Sequence, residues 1–432
     1  MKVENMEKDE NLFGHQWVIE QSNNTIMDQT TKVRAIKDKV CQRCHQTVTG
    51  MLPNNKAYCR KCIGLGRINN SNWLVRYKEQ EKISYPVSND KILTWRGKLT
   101  PQQEIVSQKL KQSLKERRNH LVHAVTGAGK TEMLFEVINT ALMQGFRVAL
   151  ATPRIDVVNE LYPRLSTAFN TIEIGKYHGK TFNEPKNHQF IICTTHQLLK
   201  FYHTFDLLII DEVDSFPYVN NPMLLAGAKF SVKKDGVQFF LTATPDSHLL
   251  AQAKSKIIDY SVLNRRFHGG LLPIPQNQFY LKPFITKKKI NYKLLNTINR
   301  LLKLDKPILI FLPRIAELND YKVSLEKSCP KLRIESVHAG DKQREEKVQK
   351  FRNNKIDLLL TTTILERGVT FPHVQVIVVA ADDRIYTTPS LVQIAGRVGR
   401  SKDDKEGNVI FCYHRYTKNI RLANQQIRKM NQ

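Results

Sequence analysis

The sequence predicts an α/β protein in which two parallel-sheet domains follow a small Cys₄ zinc module. Three observations predict it. Short apolar runs alternate with helical patterns in two successive sets. A phosphate-binding loop opens the first set, at residues 124–131. Two CxxC pairs, Cys41/Cys44 and Cys59/Cys62, precede both sets.

Composition bounds the partners. The chain has 432 residues, and its 67 Lys+Arg against 40 Asp+Glu give a formal charge of +27. Such a field favours polyanions, nucleic acid first and an anionic membrane surface second. No apolar run approaches the roughly 20 residues of a spanning helix. The first ten residues are charged and carry no apolar signal core, so a cytoplasmic protein is expected. In that setting the seven Cys favour metal binding over disulfides.

In chain order, residues 1–35 read as a flexible leader or weak docking segment, with Phe13 and Trp17 among its few large apolar residues. Residues 36–98 read as the zinc module and a connector. Each CxxC turn supplies two thiolates, so four ligands converge without a large core. Cys41-Gln42-Arg43-Cys44-His45 also spells a haem-attachment motif, but that chemistry needs export and leaves Cys59 and Cys62 without a purpose. Arg43, Arg60, Lys61 and Arg67 read as a solvated or nucleic-acid-gripping face. Between Trp73 and Trp95, aromatics mix with charges, a pattern that either stacks on bases or joins domains. Cys193, Cys329 and Cys412 stand alone and read as structural.

Residues 99–268 form the first α/β domain. Thr100 is a helix N-cap and Pro101 the first helical residue. The run Leu121 to Val125 reads as a strand feeding the phosphate loop. In that loop Thr126, Gly127, Ala128 and Gly129 bring backbone N–H groups to phosphates. Lys130 reaches the β/γ-phosphates and Thr131 ligates Mg²⁺. A helix is expected to begin at Glu132. Strands then end at Thr152-Pro153-Arg154 and at Thr194-Thr195-His196, where hydroxyls and cations suit a nucleic-acid backbone. The run 205–210 delivers Asp211-Glu212-Val213-Asp214. Asp211 would hold Mg²⁺, and Glu212 would orient and deprotonate the attacking water. Asp214 reads as a bridge toward the second domain. Thr242 and Thr244, at the end of another strand, would link the acids onward.

Residues 269–284 read as a hinge and 285–432 as a second α/β domain with no phosphate loop of its own. Two such domains with one phosphate site suggest nucleotide between them. Gln393, Arg397 and Arg400 are expected on one helical face. There the two arginines would neutralise charge on the γ-phosphoryl group and Gln393 would sense it.

The ordered series resembles the superfamily 2 helicases across about residues 99–413, which implies two RecA-like domains and ATP hydrolysis. On that resemblance Gln103 corresponds to the adenine-sensing glutamine. Residues 124–131 match motif I, 152–154 motif Ia and 211–214 motif II. Residues 242–244 match motif III, 311–314 motif IV, 361–368 motif V and 393–400 motif VI. It further implies nucleotide contact by Gly368 and nucleic-acid contact by Arg314 and Thr362. Thr370 departs from the DEAD-box pattern, which carries Asp there for ribose. A Cys₄ module ahead of this core is similar to the late-competence DNA-uptake ATPases, the ComFA family. That resemblance implies ATP, Mg²⁺ and Zn²⁺ as cofactors and translocation on single-stranded DNA during uptake of transforming DNA. It also implies a competence channel protein and a ComFC-type protein as partners, with peripheral contact at the inner membrane face. The alternatives are a PriA-like replication-restart helicase, an RNA helicase and a nucleotide-gated DNA-binding adaptor.

Overall fold

The computed structural model describes residues 13–20, 30–77, 85–179, 186–400, 404 and 406–432. The chain divides into two units. One is Met1–His123 with Lys130–Val262, and the other is Ala124–Gly129 with Leu263–Gln432.

The first unit begins with small β elements. Strands β1 (Gln16–Ile19) and β2 (Thr30–Arg34) come first. Two short antiparallel pairs follow, β3 (Ile36–Lys37) with β4 (Val40–Cys41) and β5 (Gly50–Met51) with β6 (Ala57–Tyr58). Strand β7 (Trp73–Tyr77) lies between β1 and β2 in an antiparallel sheet, with Val75 opposite both Trp17 and Lys32. Residues 13–20 and 30–35 are therefore part of the fold, which corrects the reading of a flexible leader. The rest of that leader, residues 1–12 and 21–29, lies outside the described residues. Three contacts fix this segment. Gln16 Nε2 donates to Leu199 O (2.9 Å), Arg147 Nη1 donates to Phe13 O (2.8 Å), and Phe13 stacks on Tyr77 at 4.4 Å. Each is a long-range contact, which polar composition does not reveal.

The module shares its core with the rest of the unit. Ala35, Ile68, Leu74 and the four knuckle cysteines are buried in one cluster with Leu199, Phe201, Phe205 and Leu224. The aromatics beyond the knuckles are packed. Trp73 lies under the Arg34 guanidinium (4.0 Å), Tyr85 donates to Asn187 Oδ1 (2.6 Å), and Trp95 meets Phe135 edge-on. They join parts of the unit.

The main sheet of the first unit follows. Its elements are α1 (Pro101–Lys115), β8 (His120–Ala124), α2 (Phe135–Met143), β9 (Val148–Thr152), α3 (Ile155–Ala168), β10 (Ile174–Tyr177) and β11 (Phe190–Thr194). Then come β12 (Phe205–Asp211), α4 (Pro222–Ser231), β13 (Val232–Thr242), α5 (Ser247–Lys254) and β14 (Asp259–Leu263). The strand order is β10-β11-β9-β12-β13-β8-β14, parallel from β10 to β8. Strands covered on both faces read as continuous apolar runs, and every residue of β9 and β11 is buried.

The second unit repeats the logic. It contains β15 (Gln276–Phe279), the hairpin β16 (Ile285–Thr286) and β17 (Lys289–Ile290), α6 (Tyr292–Leu302), β18 (Ile308–Phe311), α7 (Leu318–Ser328) and β19 (Ile334–Val337). Then come α8 (Arg344–Arg352), β20 (Leu358–Thr361), β21 (Gln375–Val378), α9 (Thr388–Ala395), β22 (Val409–Tyr413) and α10 (Lys418–Met430). Its sheet runs β15-β22-β21-β18-β20-β19, all parallel. Among the described residues no helix is long and apolar enough to cross a membrane. In such sheets ligands gather beyond the carboxyl ends of the strands.

Candidate nucleotide and metal sites

The phosphate loop follows β8. Gly127 (φ 82°) and Gly129 (φ 70°) take left-handed backbone that a Cβ would strain. A 3₁₀ turn, Glu132–Leu134, precedes α2 where an uninterrupted helix is expected. Lys130 Nζ lies 3.7 Å from Asp211 Oδ1, and both side chains are largely buried. The loop cation and the strand-end acid are thus at one place. That is the arrangement a magnesium-bound triphosphate needs, with the cation beside phosphates and the acid beside metal.

The acids are held by their own turn. Glu212 N–H donates to Asp211 Oδ1 (2.9 Å). Glu212 itself has φ 57°, a left-handed conformation that costs about 1–3 kcal/mol for a side-chain-bearing residue. Strain of this kind fixes where the carboxylate points. Asp214 accepts the hydroxyl proton of Thr244, whose N–H donates to Thr242 Oγ1 (2.9 Å). Asp214 therefore meets the 242–244 turn of its own unit.

Other first-unit residues depart from expectation. Gln103 is fully buried and closes a capping box. Its Oε1 accepts from Thr100 N–H (2.8 Å) and its N–H donates to Thr100 Oγ1 (3.3 Å). The carboxamide oxygen thus serves the helix start. The Thr152 and Thr195 side chains are fully buried, with hydroxyls that find no partner among the described residues. This corrects the expectation that both hydroxyls meet a nucleic-acid backbone, because the strand ends continue the core instead of reaching the surface. Pro153 and Thr194 are buried as well, while Arg154 and His196 are half-buried. Arg154 lies 3.8 Å from Asp156. Burial pushes the His196 imidazole below its ordinary range.

In the second unit, Ala124–Gly129 pack with motif VI: the Thr126 hydroxyl donates to Gln393 Oε1 (3.0 Å). Helix α9 stops at Ala395, so Arg397 and Arg400 stand on the turn beyond it. This corrects the single helical face read from the sequence, since Gly396 caps the helix first. Arg397 is 2% exposed and donates to the carbonyls of Glu366, in motif V, and of Val369 just after it. Arg400 Nε donates to Gly396 O (2.8 Å), and Nη1 reaches the Thr370 hydroxyl (3.4 Å). Gly368 is left-handed (φ 77°), and Thr362 is buried just after β20. Arg314 is 66% exposed and pairs with Glu317 (2.9 Å) and Asp383 (3.2 Å).

Arg266 is a residue that the sequence reading did not single out. It is 2% exposed and donates to Gly396 O, Val398 O and Gly399 O. Burial first, then Arg400, pull its guanidinium down to about 9. It braces the turn that carries Arg397 and Arg400. Nothing in Arg265-Arg266 announces which of the two turns inward.

The four knuckle cysteines are free thiols, buried, with every Sγ within 4.8 Å of the others. Cys41 and Cys62 sulfurs are 3.8 Å apart, and Cys44 and Cys59 are 3.6 Å apart. Zinc–sulfur bonds of about 2.3 Å in a tetrahedron require sulfur spacings of about 3.8 Å, so the donor set fits zinc. His45 stacks on Phe230 at 3.7 Å, and burial lowers its imidazole to about 4. It sits in a packing role, away from haem ligation. Arg43 is a correction: it is 4% exposed instead of solvated or nucleic-acid-facing. Its Nε donates to Cys62 Sγ (3.4 Å), and its other nitrogens donate to the carbonyls of Cys62, Leu65 and Gly66. The thiol cluster draws the guanidinium inward.

Two family descriptions match the chain. "Type III restriction enzyme, res subunit" covers residues 96–247, and "Helicase conserved C-terminal domain" covers residues 290–402. The chain is 42% identical to Competence protein ComFA of Streptococcus pneumoniae, over 90% of each chain. It is 38% identical to Competence protein ComFA of Bacillus subtilis, over 91% of this chain and 85% of that one. Among solved structures, Saccharomyces cerevisiae Dbp5 bound to RNA and ADP BeF3 superposes with a TM-score of 0.55 at 17% identity. That match covers 77% of this chain and 91% of Dbp5, and it shows the fold. The two RecA-like sheets, the Cys₄ cluster and these likenesses make the chain an ATP hydrolase of helicase superfamily 2, and it belongs to the ComFA family.

Proposed function

We propose that the protein is an ATP-driven translocase on single-stranded DNA, serving uptake of transforming DNA in natural competence. The observation that carries the reading is Lys130 beside Asp211, with Asp214 tied to Thr244. Lys130 would bind the β/γ-phosphates, and Asp211 with Thr131 would hold Mg²⁺. Glu212 takes the proton of the attacking water. Bound Mg²⁺ supplies the charge that lets a triphosphate approach these acids. Arg400 steadies the developing charge at the γ-phosphate, with Arg397 and Gln393 beside it and Arg266 behind the turn. Motif III, through Thr244, passes the state of the acids to the strand-binding residues, including Arg154, His196, Arg314 and Thr362. Cys41, Cys44, Cys59 and Cys62 hold zinc in a structural role. The names of the relatives support the competence setting. A channel protein and a ComFC-type protein are the partners that setting implies, with the protein cytoplasmic, at the inner membrane face.

Phosphate release tests this. Thirty-nucleotide DNA strands should stimulate turnover, and RNA strands of the same length should do so less. Lys130→Ala should lower turnover at least 100-fold while single-strand binding stays measurable. Turnover indifferent to any strand would reject the translocase, and retained turnover in Lys130→Ala would reject the site.

A further inference from the structure

The hairpin β16–β17 carries a choice of residues that stability does not explain. Its two strands pair Ile285 with Ile290 and Thr286 with Lys289, leaving a two-residue turn. Both turn residues are lysines in left-handed backbone, Lys287 at φ 47° and Lys288 at φ 59°. A turn of that type favours Asn-Gly, because two positive φ values strain any residue with a longer side chain. Unfavourable backbone held in place by its surroundings points to a function for the side chains.

The surroundings do hold it. Ile290 N–H donates to Ser324 Oγ (2.9 Å), and Asn291 N–H donates to Phe284 O (2.8 Å). Ile285 and Ile290 pack on the second unit's core. Lys287, Lys288 and Lys289 are all exposed. Lys288 has a long pair with Asp320 (3.9 Å), and among the described residues no carboxylate lies within ion-pair distance of Lys287 or Lys289. Three cations thus project from a rigid base.

Two observations select the ligand. Pro283, Phe284 and Ile285, at the hairpin's base, line one cavity of about 350 Å³ with Arg314, Asp383 and His414. That cavity lies at the carboxyl ends of β18 and β21, where Arg314 is read as a strand contact. Tyr292 lies two residues past the hairpin and is 76% exposed. Lysines on a hairpin with an exposed aromatic ring two residues further along suit a single strand, whose phosphates take the charges and whose bases stack on the ring. A membrane-docking tip would carry large apolar residues, whereas Thr286 to Lys289 carries none.

We propose that this lysine hairpin is a second grip on the phosphodiester backbone of single-stranded nucleic acid, continuing the path past Arg314. The proposal rests on the strand-binding reading above. The test uses the full chain and a fluorescent thirty-nucleotide oligo-dT strand, titrated across a salt series. Lys287→Asn with Lys288→Gly installs the favoured turn and removes two charges. Its melting temperature should stay level or rise. Its binding slope against log salt should fall by about 1.4, with affinity about 25-fold weaker at 0.1 M salt. Lys327→Gln with Lys331→Gln, at the far end of α7, should bind like the wild type.

An unchanged slope and affinity in the hairpin variant overturn the proposal. So does an equal loss in the α7 variant, which would make the effect one of total charge. Vesicles of phosphatidylglycerol and phosphatidylcholine form a further arm. Loss of vesicle binding with oligo-dT binding intact would give the hairpin to a membrane surface and overturn the proposal. Wild-type protein whose turnover responds to strands, with an unaffected hairpin variant, would sink this inference alone. Wild type that ignores strands would sink the translocase with it.

Discussion

Arg43 gives the sharpest test of the zinc module. Its Nε lies 3.4 Å from Cys62 Sγ, inside a cluster whose four thiolates would outweigh the two charges of a bound zinc ion. A hydrogen bond between charged groups contributes about 1.5–3 kcal/mol, which is about 10- to 150-fold in a binding constant. The three carbonyl contacts add less, because Gly66 is exposed and water can replace the guanidinium there. Arg43→Ala should therefore weaken zinc binding by about 10- to 100-fold, the usual effect of losing an outer-shell partner. Arg43→Lys keeps the charge but not the fork, and should fall between. Competition of the full chain with a chromogenic chelator measures this, with zinc content determined in parallel. An affinity for Arg43→Ala within about twofold of the wild type would reduce Arg43 to a clasp on the second knuckle.

Three further outcomes are expected. Arg400→Ala should lower kcat at least 100-fold with KM within a few-fold, as loss of a transition-state cation does; an unchanged kcat would remove that role. Thr244→Val leaves Asp214 without its hydroxyl donor. The strand-stimulated part of turnover should drop about tenfold, corresponding to about 1.4 kcal/mol of a charged hydrogen bond, and full stimulation would detach motif III from the acids. His120 is 1% exposed between Ser113 Oγ (2.7 Å) and Ser261 Oγ (2.9 Å), and burial lowers its imidazole from 6.5 to about 4. Between those values the unfolded chain binds more protons, so stability is full above pH 6.5 and falls as pH drops toward 4. The loss should be about 2 kcal/mol at pH 5. Melting curves at pH 7.5 and pH 5 should show a smaller acid shift in His120→Gln, and equal shifts would refute the linkage.

Much of this molecule is legible in its residues. The phosphate loop, the DEVD strand end, the Gln393-to-Arg400 stretch and the CxxC pairs each need particular side chains at fixed spacing, so the pattern and the chemistry coincide. The capping box of α1 was half visible: Thr100 and Pro101 announce the helix start, and the Gln103 side-chain oxygen completes it. Long-range pairing was not visible. Thr30-Thr31-Lys32-Val33-Arg34 becomes a strand because Trp73–Tyr77 lies beside it, some 40 residues on in the chain. Side-chain direction was equally hidden. Arg43 turns inward toward sulfur, Arg266 inward toward carbonyls, and the Thr152 and Thr195 hydroxyls into the core. In each case, composition suggests an outward face and burial elsewhere decides otherwise.

The shared packing of the knuckles and the first sheet has a consequence for damage. Leu199 and Phe201 are roofed by Gln16, His15 and the module behind them. A chain cut back to its motor sequence would present that greasy flank to solvent and tend to clump. Oxidants that pair up the four thiols would disturb the core the knuckles share with the first sheet, without touching a single residue proposed to meet the nucleotide.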